Sequence, residues 1–338
     1  MQDLKLLIKE KRVLFITTKN IDYIRNSQEI RLIEKNAQVI DMVYSDKQRY
    51  VQRIIEVWIK LLKYNMQNID VVFIGFAPQL TLPFFYWKVK NKTIIIDFFI
   101  SLYDTLIHDR KMFRDGGIIA SISHWLDNNS LLKAECVISD TKADAEYFIN
   151  EFNSDARKFK TLYLEADSSI YYLREQCKPN ELKDKFVVLY FGSILPLQGV
   201  DIVLDAVKLL KDNKDIYFQI IGPISNKYDK PIQDNVEYIE WLSQEKLAEY
   251  IANADLCLAG HFNGEIDKAR RTIPGKAIIY RTMEKSMICG DCVANRELFQ
   301  DNTKIRYVKM GEPLDLKNAI MHMQLEQWKV EKKHCKYD

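Results

Sequence analysis

The sequence predicts an α/β protein built from two Rossmann-like, doubly wound domains in tandem, with their strand ends facing an interdomain cleft. Three observations predict it. Short apolar runs alternate with helical patterns through both halves of the 338-residue chain, as buried parallel strands joined by crossover helices do. A polar stretch without apolar periodicity, "REQCKPNELKDK" at residues 174–185, separates the two series and reads as a linker. The length also suits two domains of ordinary size.

In the first series the strands fall at "RVLFITT", "AQVIDMVY", "DVVFIGF", "TIIIDFF", "CVISD" and "FKTLYLE". Between them lie the helical patterns "DYIRNSQEIRLIEKN", "QRYVQRIIEVWIKLLKYNM", "SISHWLDNNSLL" and "KADAEYFINEF". The second series has strands at "FVVLYFG", "IYFQIIGP", "NVEYIEWL", "ADLCLAG", "SMICGD" and "KIRYVKMG", with helices starting near Gln198, Ser243, Pro274 and Ala294. Ser243 suits an N-cap with Glu245 in the first turn, and Pro274 suits a first helical turn, where its missing N–H costs nothing. A last helix carries Leu316, Ile320, Met323 and Trp328 and runs into a basic tail. The expected organisation is an N-terminal domain over 1–176, a C-terminal domain over 177–315, and a helix and tail over 316–338, for which packing back on the N-terminal domain stays open.

Charge narrows the function. Lys plus Arg number 49 and Asp plus Glu 47, a net of +2; a nucleic-acid partner usually calls for a stronger basic bias. There is no apolar segment with a small-residue cleavage site at the N-terminus and no run of about 18 apolar residues, so a cytoplasmic setting with free thiols is expected. "CGDC" at Cys289 and Cys292 has metal or redox spacing but no matching second pair, and reads as strand packing. Neither G-x-G-x-x-G nor G-x-x-x-x-G-K-[ST] occurs, and no D-x-D triplet is present. No cofactor and no metal are therefore expected.

Two stretches point to phosphate. In "FVVLYFGSILPLQGVDIVLDAVKLL" a buried strand ends at Gly192 and a helix opens at Gly199. Glycine permits close backbone approach, and helix-start N–H groups favour an anion. This loop has no Lys or Arg, and an ordinary β–α turn remains the alternative. "KARRTIPGKAIIYRTMEKSMICGDCVANRELF" places Lys268, Arg270, Arg271 and Lys276 about a helix start, where side-chain charge and free N–H groups coincide. In the first half, "DFFISLYDTLIHDRK" gathers Asp97, Asp104, His108, Asp109, Arg110 and Lys111 after a buried strand, at the kind of strand end where ligands bind.

These stretches together resemble the GT-B glycosyltransferases, and among them the retaining group called family 4. "YFGSILPLQGVDIVLDAVKLL" is similar to that group's strand, G-R-L-x-x-x-K-G loop and helix. "IIGP" at 220–223 is similar to its next strand and Gly222 turn. "IPGKAIIYRTMEKSMICGDCVANRELF" is similar to its P-x-K-x-x-E segment, and residues 93–113 to its N-domain loop. The chain departs from the family at several positions. Ser193 and Gln198 stand where the loop usually has Arg and Lys, Arg271 and Ile279 stand where two glutamates are usual, and Glu284, Lys285 and Ser286 replace G-x-P.

The resemblance implies a nucleotide-sugar donor on the C-terminal domain. Gly192, Ser193, Gln198, Gly199, Gly222, Ile273 and Pro274 would supply its binding loops, Arg270, Arg271 and Lys276 the charge, and Asp291 or Glu297 a substitute ribose carboxylate. Asp97 would orient or deprotonate an acceptor hydroxyl, with Asp104, His108, Asp109, Arg110 and Lys111 around the acceptor or a phosphate. The implied activity is retaining hexosyl transfer to a glycan or polyprenyl-linked acceptor in surface polysaccharide synthesis. The basic amphipathic helix "YVQRIIEVWIKLLKYNM" fits core packing, and peripheral contact with the inner face of the membrane is the other reading. The rival to catalysis is a non-catalytic GT-B-fold partner of an active transferase, motivated by the missing glutamates; a sugar-nucleotide epimerase is a third reading.

Overall fold

The computed structural model describes residues 2–192, 195–300 and 302–334, with the side chains of 2 and 330–334 excepted. The chain forms two compact units, Met1–Glu165 and Ala166–Asp338. The division falls ahead of the polar stretch 174–185. That stretch is held to the second unit by polar bonds that leave no trace in apolar periodicity. Cys177 N donates to Asn253 Oδ1 at 2.7 Å, and Lys178 pairs with the buried Asp255.

In the first unit the order is α1 (Gln2–Ile8), β1 (Arg12–Ile16), α2 (Ile24–Glu34), β2 (Val39–Val43), α3 (Tyr50–Lys63), β3 (Val71–Ile74), α4 (Leu82–Val89), β4 (Thr93–Asp97), α5 (Ile118–Lys133), β5 (Cys136–Ser139), α6 (Lys142–Glu151) and β6 (Phe159–Thr161). The strands pair in parallel in the order β2-β1-β3-β4-β5-β6. β1, β3, β4 and β5 are almost wholly buried, as strands covered by helices on both faces must be. One face packs on α1 and α2 through Leu4, Ile8, Ile30 and Ile33. The other packs on α3, α4 and α5 through Val57, Leu61, Leu82, Phe85 and Leu131. All six expected strands are present. Helix α4, "LPFFYWKV", carries too little apolar contrast between its faces to stand out as helical in sequence. Residues Asp104–Asp109 form a turn of π-helix, a local widening common at functional positions.

The second unit runs β7 (Phe186–Phe191), α7 (Val200–Lys208), β8 (Ile216–Ile221), β9 (Val236–Ile239), α8 (Gln244–Asn253), β10 (Leu256–Gly260), α9 (Lys268–Arg271), α10 (Gly275–Thr282), β11 (Met287–Gly290), α11 (Val293–Leu298), β12 (Ile305–Val308) and α12 (Pro313–His334). Its parallel sheet has the order β12-β11-β10-β7-β8-β9. Ser243 caps α8 by accepting from Lys246 N. Pro274 stands at the N-cap of α10, one position outside the helix. Leu316, Ala319, Ile320 and Met323 of α12 enter this unit's own core beside Val203 and Val207 of α7. The reversal of strand order around β7 and β10 opens a crevice at their carboxyl ends, the usual ligand position in such sheets.

Candidate functional site

The candidate site of the second unit stands at the carboxyl ends of β7, β8 and β10. Gly192 follows β7 and Gly222 follows β8. At Gly222, φ is 127° and a Cβ would lie 2.2 Å from the Gly192 carbonyl oxygen, so no other residue fits. Gly199 holds φ at 64°, directly before α7. A Cβ there would meet Asn263 N at 2.6 Å. Phe262 N donates to Gln198 O at 3.2 Å, which pins the turn Pro196–Gln198 to the end of β10. The backbone is thus packed tightly where α7 begins and its first N–H groups open.

Lys276 brings charge to this place. It lies in the first turn of α10 and is 5% exposed. Its Nζ lies so close to Gly192 that a Cβ there would approach it to 2.7 Å, and one at Gly260 to 3.8 Å. The ammonium sits 3.9 Å from the centre of the Tyr190 ring and has no hydrogen-bond acceptor among the described residues. Burial pulls its pKa down to about 7. His261, the first residue after β10, is buried alongside, and burial together with the charge of Lys276 draws its imidazole down to about 3. Gln198 Oε1 accepts from the Tyr190 hydroxyl at 3.3 Å. An amine without a partner in a dry setting is costly, and an anion arriving beside it would relieve that cost.

Five of the expected donor-side residues therefore converge: Gly192, Gln198, Gly199, Gly222 and Lys276. Ser193 lies outside the described residues. The helix α9 that carries Arg270 and Arg271 lies against the turn Pro196–Gln198. Arg271 is engaged by Asp267, Nε to Oδ2 at 2.7 Å, and the exposed Arg270 donates to Gly264 O at 3.0 Å. Ile273 is half-buried and Pro274 buried. Asp291 is held by Arg296 at 2.6 and 2.9 Å, and Glu297 sits half-buried on α11. Sequence reasoning passed over Tyr190 and His261. The signal for His261 was a polar residue immediately after the buried strand "LCLAG". Cys289 and Cys292 are buried free thiols, and Cys292 Sγ accepts from Asn295 N at the start of α11. Among the described residues no group of three or more His, Cys, Asp and Glu is arranged to hold a metal ion.

In the first unit Asp97 closes β4, but its carboxylate is not open to an incoming hydroxyl. Both oxygens accept from Arg25, Nε at 3.0 Å and Nη2 at 2.9 Å, and the pair is buried. Arg25 also donates to the Leu162 carbonyl. Glu29 lies one turn along α2 from Arg25, and burial, then the charge of Asp97, raises its pKa well above the carboxylate range. The geometry gives Asp97 the partners of a buried ion pair, which the sequence missed because Arg25 lies 72 residues away. Asp104 is buried, with its N–H donated to Ser101 Oγ at 2.9 Å. Asp127 of α5 organises this turn. It accepts from Ser101 Oγ, Leu102 N and Tyr103 N, and burial raises it to about 6. His108, Arg110 and Lys111 are exposed and Asp109 half-buried; Lys111 takes φ 49°.

Comparison with known proteins bears on the fold and the family. Residues 185–324 match the family model for glycosyl transferases group 1. Sucrose-phosphate synthase from Thermosynechococcus elongatus superposes with a TM-score of 0.65 at 12% identity, over 93% of this chain and 90% of that one. Alr3699/HepE of Anabaena, solved in complex with UDP, gives 0.64 at 14% identity over 94% and 90%. Trehalose-6-phosphate from E. coli bound with UDP-2-fluoro glucose gives 0.62 at 11% identity over 93% and 91%. The fold is GT-B, as the resemblance implied. An uncharacterized 41.2 kDa protein from the cps region of Klebsiella pneumoniae is 24% identical over 206 residues, 59% of this chain. The match spans 55% of that relative's length.

Proposed function

We propose that the protein is a glycosyltransferase that takes a sugar from a nucleoside-diphosphate donor bound by its second unit. The observation that carries this reading is the buried Lys276 ammonium beside Gly192, which has no hydrogen-bond partner among the described residues. It stands near the start of α7, whose first N–H groups follow Gly199. A diphosphate leaving group needs stabilisation where its charge develops, and fixed donors in a dry site supply it without reorganisation. The family match over 185–324 and the UDP and UDP-sugar complexes of proteins with this fold support the donor class. Retention of configuration, hexosyl transfer and a glycan or polyprenyl-linked acceptor belong to the same proposal and rest on the resemblance; the cps-region relative supports only the setting of surface polysaccharide synthesis. Asp97 is committed to Arg25, so acceptor contacts from the first unit are assigned to the exposed His108, Arg110 and Lys111.

Titration with UDP, GDP, ADP and dTDP, followed by product analysis with the corresponding sugar nucleotides, tests the proposal. Micromolar binding of at least one nucleotide and release of nucleoside diphosphate with transfer are expected. One observation favours a second reading, a non-catalytic partner of an active transferase: Arg271 and Ile279 occupy the paired-glutamate positions, and Asp291, one substitute carboxylate, is engaged by Arg296. Nucleotide binding without transfer or hydrolysis would favour that partner, and absence of binding to any nucleotide refutes the donor site itself.

A further inference from the structure

Three neighbouring helices of the first unit present apolar stripes to solvent. On α5, residues Ile118, Ile122, Trp125 and Leu132 follow helical spacing and are 51–79% exposed. On α3, Ile55, Ile59 and Leu62 are likewise spaced and are 46–53% exposed, and on α4 Trp87 is 62% exposed. The inner stripes of these helices already fill one core beneath the sheet, so each helix is apolar on two faces. They lie side by side. The Trp58 ring of α3 is 5.1 Å from Phe84 of α4, and Lys133 of α5 lies over the Tyr86 ring of α4 at 4.8 Å. Core packing therefore explains half of the amphipathic pattern in α3 and leaves the outer half without a partner. A patch of this extent on a soluble unit marks an interaction surface.

Charge identifies what covers it. Arg53 and Asp127 are buried, which leaves Lys60, Lys63, Lys88 and Lys133 on the three helices against one carboxylate, Glu56. Lys90 and Lys92 follow α4, and exposed Met112 and Phe113 stand between Lys111 and Arg114 just ahead of α5. Among the described residues no helix is long and apolar enough to cross a membrane. We infer that the outer face of α3, α4 and α5 binds the surface of an anionic lipid bilayer, with Trp87, Trp125 and the isoleucines entering the interface and the lysines facing headgroups. Tryptophans at the headgroup level and cations around an apolar face are what such a surface selects. A second copy of this chain fits poorly, because it would set these cations against each other. The inference is independent of the donor site in the second unit.

The test is cosedimentation of the full chain with vesicles of phosphatidylglycerol and phosphatidylcholine against phosphatidylcholine alone. Binding to the anionic vesicles alone is expected, weakened at least tenfold by 0.5 M salt, at roughly fivefold per interfacial cation lost. I118E/I122E should weaken it about a hundredfold with an unchanged Tm, while L314E, an exposed position on the second unit, should bind as the parent does. If the double substitution lowers Tm, quenching by brominated lipid decides: the parent's tryptophan emission should be quenched, and W87F/W125F should remove the quenched fraction. Failure to bind anionic vesicles, equal binding by I118E/I122E, equal loss in L314E, or no quenching in the parent overturns the inference. So does a dimer in solution that I118E/I122E disperses without any vesicle binding, which would assign the face to a second copy.

Discussion

Replacing Lys276 should change ligand affinity and unliganded stability in opposite directions. In the free protein burial holds its pKa near 7, against 10.5 for an exposed lysine. A bound diphosphate favours the charged amine, so binding draws in a proton wherever the free amine is neutral. Below pH 7 the lysine is charged before binding and contributes no pH dependence. Above pH 7 affinity falls toward tenfold per unit, roughly fifty-fold between pH 7 and pH 9. The terminal phosphate, with a pKa of about 6, is already ionised across that window. Calorimetry with UDP in two buffers of different ionisation enthalpy should show uptake of about half a proton at pH 7, approaching one near pH 8. Lys276→Met should lose about 3 kcal/mol of binding at pH 6.5, roughly 150-fold, as truncation of one member of a buried charge pair does. The unliganded variant should be no less stable than the parent at that pH, because a buried unpartnered charge has been removed. The folded-state pKa is lowered, so unfolding takes up a proton between about pH 7 and 10.5. The parent's stability should therefore rise with pH across that window, by up to about 1.4 kcal/mol per unit, and the variant should lack that rise. A pH-independent UDP affinity in the parent, or a variant that keeps the proton uptake, refutes the assignment.

Two further predictions concern stability. Arg25→Met leaves Asp97 buried without its bidentate partner and should destabilise the first unit by about 3–5 kcal/mol. In thermal unfolding that is a downward shift of roughly 10 °C in the transition of the first unit, with UDP affinity below the transition as the control for the second unit; a shift under 3 °C would show that the pair matters little. Glu284 takes φ 54° at the end of α10, where Lys285 N reaches back to Tyr280 O at 2.9 Å, a position that favours glycine. Glu284→Gly should stabilise by about 1 kcal/mol, since the exposed contact to Lys304 at 3.5 Å offers little to lose; denaturant midpoints would detect it.

The fold was legible because its information is local. Each buried strand is a short apolar run, and helices such as α3, α7 and α8 repeat their apolar positions at 3.6-residue spacing. What escaped was either uniform or distant. Helix α4 is apolar nearly all round and has no periodic contrast. The stretch 174–185 is fixed by Asp255 and Asn253 rather than by an apolar face. In the first unit, Asp97 stood out as a carboxylate at a strand end, and only the fold discloses that Arg25 has claimed it. A strand-end acid is therefore ambiguous in sequence: the same position serves an open reaction site and a sealed ion pair.

The loop "FGSILPLQG" shows the converse, a site whose chemistry is divided between segments. Its glycines were legible as close backbone approach, and the structure gives the reason: Gly222 abuts the Gly192 carbonyl and Gly199 abuts Asn263 and Phe262. The charge that the loop lacks arrives from Lys276, 84 positions after Gly192 in sequence yet against its Cα in space. A loop arginine would be exposed and charged at every pH. A buried lysine is switched on by its ligand above pH 7, where the free amine is largely neutral and an anion beside it restores the charge. That division predicts a site selective for groups bearing full negative charge. A neutral sugar, or a nucleoside without phosphate, offers Lys276 nothing to offset its desolvation, and should bind at least 100-fold more weakly than the matching diphosphate at pH 7. Comparable affinity for uridine and UDP would place the binding energy elsewhere in the pocket and remove Lys276 from its centre.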